Sequence, residues 1–78
     1  MDTRGTALSV LEKISGVARE KLTADMQLVG ELGINSVKSL ELLVDLEERL
    51  GIEISDEEAG AIATVGDVLE RAEMADRG

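Results

Sequence analysis

The sequence LGINSVKSLELLVDLEERLGIEISDEE, residues 32–58, contains the clearest structural pattern in this 78-residue chain. Its leucines recur at helical spacing as far as residue 50, and Gly51 follows at the position where a glycine commonly ends a helix. The pattern predicts an amphipathic helix over residues 37–50. The side of this helix that faces the core is expected to contain Ser39, Leu42, Leu43, Leu46 and Leu50.

The segment before this helix predicts a first helix and a long loop. Apolar residues at helical spacing indicate a helix that begins at Thr3 or Thr6 and ends at Ser15, and Gly16 is placed to end it. Residues 17–35 have little periodicity, and a loop of this length needs contacts that hold it in place. We expect these contacts from Leu22, Met26, Leu28 and Leu32.

The segment after it predicts two further helices. Ser55 and Glu58 have the spacing of a capping box, which predicts a short helix over residues 56–61. Thr64 is placed to cap a fourth helix. The inward-facing residues of the two helices are expected to be Ala59, Ile62, Val65, Val68, Leu69 and Ala72.

These elements together predict an all-α fold. It is a four-helix bundle with three main helices, one short helix and a long first loop. We expect residues 1–78 to form a single domain, with a polar C-terminal tail, about residues 74–78, that frays.

The composition excludes several kinds of chemistry. The chain has no cysteine, histidine or aromatic residue, so a Ser-His-Asp triad, a thiol nucleophile, the usual zinc ligands and a stacking platform for bases are all absent. A net charge of −9 opposes binding to nucleic acid and to anionic membrane surfaces. No apolar run is long enough for membrane insertion, and residues 1–10 lack a signal-peptide pattern. We expect a cytoplasmic protein with no metal site, and we also expect it to be a monomer.

Acidic residues are concentrated in residues 41–58, where eight carboxylates and one base, Arg49, give −7 of the total −9. A solvated surface is one explanation. A docking surface for a basic partner is another, and it is favoured because dense like charge costs stability. Val37 and Val44, one heptad apart on the outer side of the helix, fit such a surface, although isolated exposed valines are common. An EF-hand that begins at Asp45 is excluded because its turn position is not glycine.

Ser36, which immediately precedes the predicted helix, has two explanations. Serine is a common N-cap residue, so it could serve only to start the helix. Alternatively, its hydroxyl could have a chemical role. The residue type and its position fit both explanations.

Together, this serine and the acidic helix behind it resemble the acyl carrier protein family. The first half of the chain agrees more loosely, in the spacing LT-x-D-x-x-L-x-x-x-LGI of residues 22–34, so the resemblance covers nearly the whole chain. The second half continues it in SDEEA, residues 55–59, and TVGDV, residues 64–68. Its other matching residues are Gly33, Ile34, Asn35, Ser36, Val37, Leu40, Glu41, Leu42, Glu47, Glu48, Ile52, Glu53 and Ile54.

The resemblance implies a carrier and not an enzyme. In this family a phosphopantetheinyl transferase moves 4′-phosphopantetheine from coenzyme A to a serine at the start of the second helix, which here is Ser36. The thiol of the arm then carries acyl groups as thioesters between enzymes of fatty-acid, polyketide or related biosynthesis. The absence of histidine and cysteine fits this role, because the transferase supplies the base and the metal.

The resemblance also implies two surfaces. The outer face of the second helix would dock onto basic patches of transferases and synthases, through Val37, Glu41, Val44, Asp45, Glu47 and Glu48. An acyl chain between the helices would be lined by residues that also form the core, namely Leu42, Leu46, Ile54, Ala59 and Ile62.

Four residues depart from the family pattern. Asn35 replaces the aspartate that usually precedes the serine, and Lys38 stands where acidic or neutral residues are more common. Asp45 and Arg49 also change the charge of the helix. These differences indicate a specialised carrier, for a secondary-metabolite, lipid-modifying or aminoacyl pathway, and not the housekeeping fatty-acid carrier. The alternative function is an acidic helical adaptor that binds a basic partner and is never modified.

Overall fold

The computed structural model describes the backbone of residues 2–77 and the side chains of residues 2–75. Within this part, a 3₁₀ turn and an isolated antiparallel bridge between Gln27 and Thr64 are present, and there is no β-strand. The predicted all-α architecture, with three long helices and one short helix, is confirmed. The helices are α1 (Thr3–Ser15), α2 (Ser36–Leu50), α3 (Asp56–Ala61) and α4 (Val65–Arg77), and the 3₁₀ turn spans Arg19–Lys21.

Local residues determine where α1 and α2 begin and end. The Asp2 carboxylate accepts a hydrogen bond of 2.8 Å from the Gly5 N–H, so α1 begins at the earlier of its two predicted starts. Gly16 and Gly51 end the two helices as predicted, each with a positive φ that glycine adopts readily. α2 begins at Ser36, one residue before its predicted start.

Reciprocal capping starts α3 and α4. The Ser55 hydroxyl accepts from the Glu58 N–H and the Glu58 carboxylate accepts from the Ser55 N–H, so the predicted capping box is confirmed. At α4 the Thr64 hydroxyl accepts from the Asp67 N–H at 3.2 Å. The Asp67 carboxylate accepts in return from the N–H groups of Thr64 and Ala63. α4 then remains helical through Arg77, within the segment predicted to fray, and residue 78 lies outside the described residues.

The core lies where α1 packs against both α2 and α4. It is entirely aliphatic, as the composition requires. The predicted core stripe of α2 is confirmed at Leu42, Leu46 and Leu50, whereas Leu43 lies at its edge and is half-buried. The buried apolar residues are Ala7, Val10, Leu11, Ile14, Leu28, Leu32, Ile34, Leu42, Leu46, Leu50, Val65, Val68, Leu69 and Ala72.

The long first loop is held by backbone hydrogen bonds to the segment that leads into α4. The Leu28 N–H donates to the Ala63 carbonyl and the Val65 N–H donates to the Met26 carbonyl, both at 3.0 Å. These bonds join parts of the chain that are far apart in sequence. The predicted apolar contacts are also present, since Leu28 and Leu32 are buried and Leu22 and Met26 pack against the core.

No helix in the described part of the chain is both long enough and apolar enough to cross a membrane.

Candidate functional site

Ser36 is the first residue of α2, and it is not the residue that caps the helix. The preceding Asn35 has an extended backbone, and its side-chain oxygen accepts a hydrogen bond of 2.9 Å from the Lys38 N–H. The Ser36 side chain is exposed and forms no hydrogen bond with the described residues. Because Asn35 supplies the cap, the requirement for a helix cap does not explain Ser36.

The two residues before Asn35 fix the position of this helix start. Ile34 is 1% exposed, and its N–H donates to the Leu28 carbonyl at 2.9 Å, which ties the end of the loop to the core. Gly33 has a φ of 65°, in the left-handed region that favours glycine. The exposed serine therefore follows a turn that is anchored on a buried side chain.

A surface cleft begins beside Ser36, and we call it the Ser36 cleft. Its outer part has a volume of about 290 Å³ and contacts Asn35 and Ser36. Its inner part has a volume of about 400 Å³ and reaches the segment before α4. The two parts share Val29, Ile34 and Ser39 in their walls, so they adjoin.

The predicted acyl-chain residues only partly coincide with the Ser36 cleft. Ile62 lines its inner part. Leu42 and Leu46 are each 1% exposed and belong to the closed core, and Ile54 and Ala59 are half-buried outside the cleft lining.

Sequence reasoning assigned no site role to the three residues that the two parts of the cleft share, namely Val29, Ile34 and Ser39. A signal for Ser39 was available, because residues three apart on a helix are neighbours on its surface and Ser39 follows Ser36 by three. The position of Val29 depends on how the long loop folds, and no local pattern gave it.

The outer face of α2 exposes apolar side chains between carboxylates. Val37, Leu40 and Val44 are 66%, 65% and 48% exposed, respectively. Glu41 and Glu48 are also exposed on this helix. Leu40, which by sequence lies between the buried and outer faces, is thus a surface residue. A shallow groove of about 420 Å³ runs along these apolar side chains.

Two of the predicted docking carboxylates also support the fold. Asp45 is half-buried and pairs with Lys13 of α1 at 3.4 Å between Nζ and Oδ2. Glu47 Oε2 accepts a hydrogen bond of 2.8 Å from the Ile54 N–H, which ties α2 to the link that precedes α3. These two side chains therefore lie at the edges of the outer face.

Arg71 of α4 offsets part of the acidic cluster. Its guanidinium pairs with the Glu58 carboxylate and donates to the Glu53 carbonyl at 3.0 Å. The Ser55 N–H and Arg71 both stabilise the charged form of Glu58, which lowers the pKa of that carboxyl. The net charge of residues 41–58 taken alone overstates the uncompensated negative charge of this segment. Lys13 of α1 and Arg71 of α4 pair with two of its carboxylates. Within the described residues, no group of three or more acidic side chains could hold a metal ion.

Comparison with known proteins identifies the class of protein. Residues 6–72 match the model of the phosphopantetheine attachment site family, so the chain belongs to that family and is a carrier of the cofactor rather than an enzyme. A solved structure of a protein assigned as an acyl carrier protein from Mycobacterium tuberculosis is 32% identical. The match covers 92% of this chain and 96% of that chain, with a TM-score of 0.84.

The acyl carrier protein from Enterococcus faecalis has a similar structure. It is 27% identical, and the match covers 96% of this chain and 99% of that chain, with a TM-score of 0.78. The resemblance to acyl carrier proteins that the sequence indicated is confirmed.

Proposed function

We propose that this chain is an acyl carrier protein that carries 4′-phosphopantetheine on Ser36. Its function would be to move acyl groups, held as thioesters, between enzymes of fatty-acid, polyketide or related biosynthesis. The observation that supports this most strongly is that Ser36 is exposed and unbonded at the start of α2, while Asn35 caps the helix.

The surroundings of Ser36 fit a phosphodiester. The first N–H groups of a helix have no partner within it, and the positive end of the helix dipole favours an anion there. Exposed Lys38 adds a positive charge two residues beyond Ser36. When bound, the arm supplies the thiol that this cysteine-free chain lacks.

The outer face of α2 supports a docking role toward basic enzymes. Its centre consists of Val37, Leu40 and Val44, with Glu41 and Glu48 beside them. Apolar anchors surrounded by charge are typical of protein interfaces, and the carboxylates would steer a basic partner toward them. Asp45 and Glu47 add charge at the edges of the face while they maintain their contacts within the fold. The proposed partners are a phosphopantetheinyl transferase and acyl-transferring or synthase enzymes.

We further propose a specialised pathway. A carboxylate before the serine would add negative charge where a transferase approaches, and Asn35 caps α2 without that charge. Lys38 shifts the local charge in the same direction. Both residues support recognition by a transferase or partner that does not require an acidic residue at the start of α2.

The test is transfer of the arm from coenzyme A, followed by intact-protein mass spectrometry. The chain is incubated with coenzyme A, Mg²⁺ and a broad-specificity phosphopantetheinyl transferase. We expect one phosphopantetheine adduct on the native chain and on Ser39→Ala, a matched loss of a hydroxyl on the same helix, and none on Ser36→Ala.

Absence of an adduct on both the native chain and Asn35→Asp would overturn the proposal and favour an unmodified acidic adaptor. Formation of an adduct only on Asn35→Asp would instead indicate a dedicated transferase that reads Asn35.

A further inference from the structure

The hydroxyl of Ser39 lies at the junction of the two parts of the Ser36 cleft. Ser39 is half-buried and contributes to both walls. Its hydroxyl has no hydrogen bond to the described residues. Among the described residues, every fully buried side-chain oxygen or nitrogen has a hydrogen-bond partner. Since the Ser39 hydroxyl has none, it is not fully buried. A group inside the cleft can therefore reach this hydroxyl.

The remainder of the cleft is partly apolar and partly polar. Val29, Ile34 and Ile62 supply apolar walls, and Gln27 and Thr64 add polar side chains to the inner part. Thr64 already accepts a hydrogen bond from the Asp67 N–H, and its hydroxyl also stabilises the Asp67 carboxylate. Such a lining suits a short carbon chain that also contains oxygen, because each oxygen removed from water needs a partner.

The interior beneath the cleft is packed in this structure. Leu42 and Leu46 are each 1% exposed within the packed core. A chain that entered between them would have to displace close-packed side chains, which protein interiors accommodate poorly. In this structure, the open cleft offers the available volume.

We propose that Ser39 determines cargo specificity by hydrogen bonding to an oxygen near the thioester end of a short acyl group. Acyl groups with a 3-hydroxyl or 3-oxo oxygen would be held in the Ser36 cleft more strongly than saturated groups of the same length. The proposal rests on the proposed role of Ser36. Because the acyl group enters the inner part of the cleft from the Ser36 side, its thioester end lies at the junction, where Ser39 is, and its tail extends toward Ile62.

The test compares how well the protein protects the thioesters of two acyl groups from cleavage by hydroxylamine. Hexanoyl and 3-hydroxyhexanoyl arms are loaded onto Ser36 from the corresponding coenzyme A thioesters, and loading is verified by intact mass. The rate of hydroxylamine cleavage is then divided by the rate for the same acyl group on free pantetheine, which removes the intrinsic difference in reactivity. We expect the native chain to protect the 3-hydroxyhexanoyl group about fivefold more than the hexanoyl group, as one hydrogen bond allows.

Variants of Ser39 identify the hydroxyl. Ser39→Ala should make the protection of the two cargoes equal, and Ser39→Thr, which retains a hydroxyl, should restore the preference. Equal protection in the native chain, or a preference that persists in Ser39→Ala, would overturn the proposal. If Ser39→Ala weakened protection of both cargoes equally, the hydroxyl would contact the arm and not the cargo, which also contradicts it. Failure to load both the native chain and Asn35→Asp would instead refute the proposed role of Ser36, and this inference with it.

Discussion

At the scale of single residues, two adjacent polar side chains have different roles at the start of α2. Asn35 accepts the hydrogen bond that caps the helix, and Ser36 presents a hydroxyl that the fold does not use. Asparagine and serine are nearly equivalent as N-caps, so residue type alone could not predict which of the two caps the helix. The backbone conformation distinguishes the two residues, because Asn35 has the extended conformation of a cap and Ser36 is already helical.

The turn before Asn35 depends on the backbone conformation of Gly33. Its φ of 65° is unfavourable for a residue with a Cβ atom, although the space around it is open. We predict that Gly33→Ala lowers the free energy of unfolding by about 1 kcal/mol. Chemical denaturation with far-ultraviolet circular dichroism measures this change.

Gly60→Ala is the matched control. Gly60 is an exposed residue of α3, has no positive φ, and has open space around it. The same change there should leave stability unchanged or raise it by up to about 1 kcal/mol, since alanine favours helix. Equal effects at the two sites would contradict the conformational explanation.

At the scale of helices, α3 depends on contacts from outside itself. It has six residues, none of them buried, and Arg71 of α4 connects to it through Glu58 and to the preceding link through Glu53. We predict that Arg71→Gln increases the mobility of residues 56–61 on the picosecond-to-nanosecond timescale. Backbone ¹⁵N heteronuclear NOE values for these residues should fall.

Arg4→Gln is the control for this prediction, because it removes another α4 ion pair, with Glu73, away from α3. It should leave the NOE values of residues 56–61 unchanged. A similar fall in both variants, or in neither, would show that Arg71 does not hold α3.

The start of α4 predicts a specific dependence of stability on pH. Hydrogen bonds from the N–H groups of Ala63 and Thr64 lower the pKa of Asp67 below its ordinary value. A lowered folded-state pKa stabilises the fold above the ordinary pKa, and this contribution is lost as the pH falls through the folded-state value. Asp67→Asn should therefore cost about 0.5–1 kcal/mol at pH 7, a value limited by solvent screening, and progressively less as the pH falls below the ordinary pKa of about 4.

Denaturation curves of the native chain and Asp67→Asn at several pH values measure this difference. Glu70→Gln, an exposed change on the same helix, should show little difference from the native chain at any pH. A cost of Asp67→Asn that stays constant down to pH 3 would exclude the proposed charge effect.

Sequence patterns predicted the elements better than the contacts between them. Helix ends depend on neighbouring residues, so Gly16, Gly51 and the Ser55 capping box were predicted correctly. The pairing of Lys13 with Asp45, and the backbone bonds that hold the first loop, join distant parts of the chain and have no local signal. The site divides in the same way, since a local motif indicated Ser36 while the cleft beside it depends on the folded loop.

At the scale of the whole molecule, negative charge opposes folding. The net charge is −9, and Lys13 and Arg71 neutralise only part of the acidic cluster, leaving Glu41 and Glu48 exposed on α2. Salt screens such repulsion, because the Debye length falls to about 3 Å at 1 M ionic strength. We predict that the melting temperature rises by several degrees between low salt and about 0.5 M NaCl, and rises further with Mg²⁺.

The double variant Glu41→Gln/Glu48→Gln should melt higher at low salt and respond less to added NaCl. Differential scanning calorimetry measures both effects. A melting temperature that does not change with ionic strength would show that repulsion is not a significant destabilising term in this chain.

The measurement that tests the central claim most directly is localisation of the arm within the protein. The native chain, treated with coenzyme A and a broad-specificity transferase, is digested, and the α2 peptide is sequenced by tandem mass spectrometry. This peptide contains two serines, Ser36 and Ser39, so the fragments distinguish the exposed helix start from the cleft wall. We predict phosphopantetheine on Ser36 alone. Modification of Ser39, or of no residue in α2, would contradict the account.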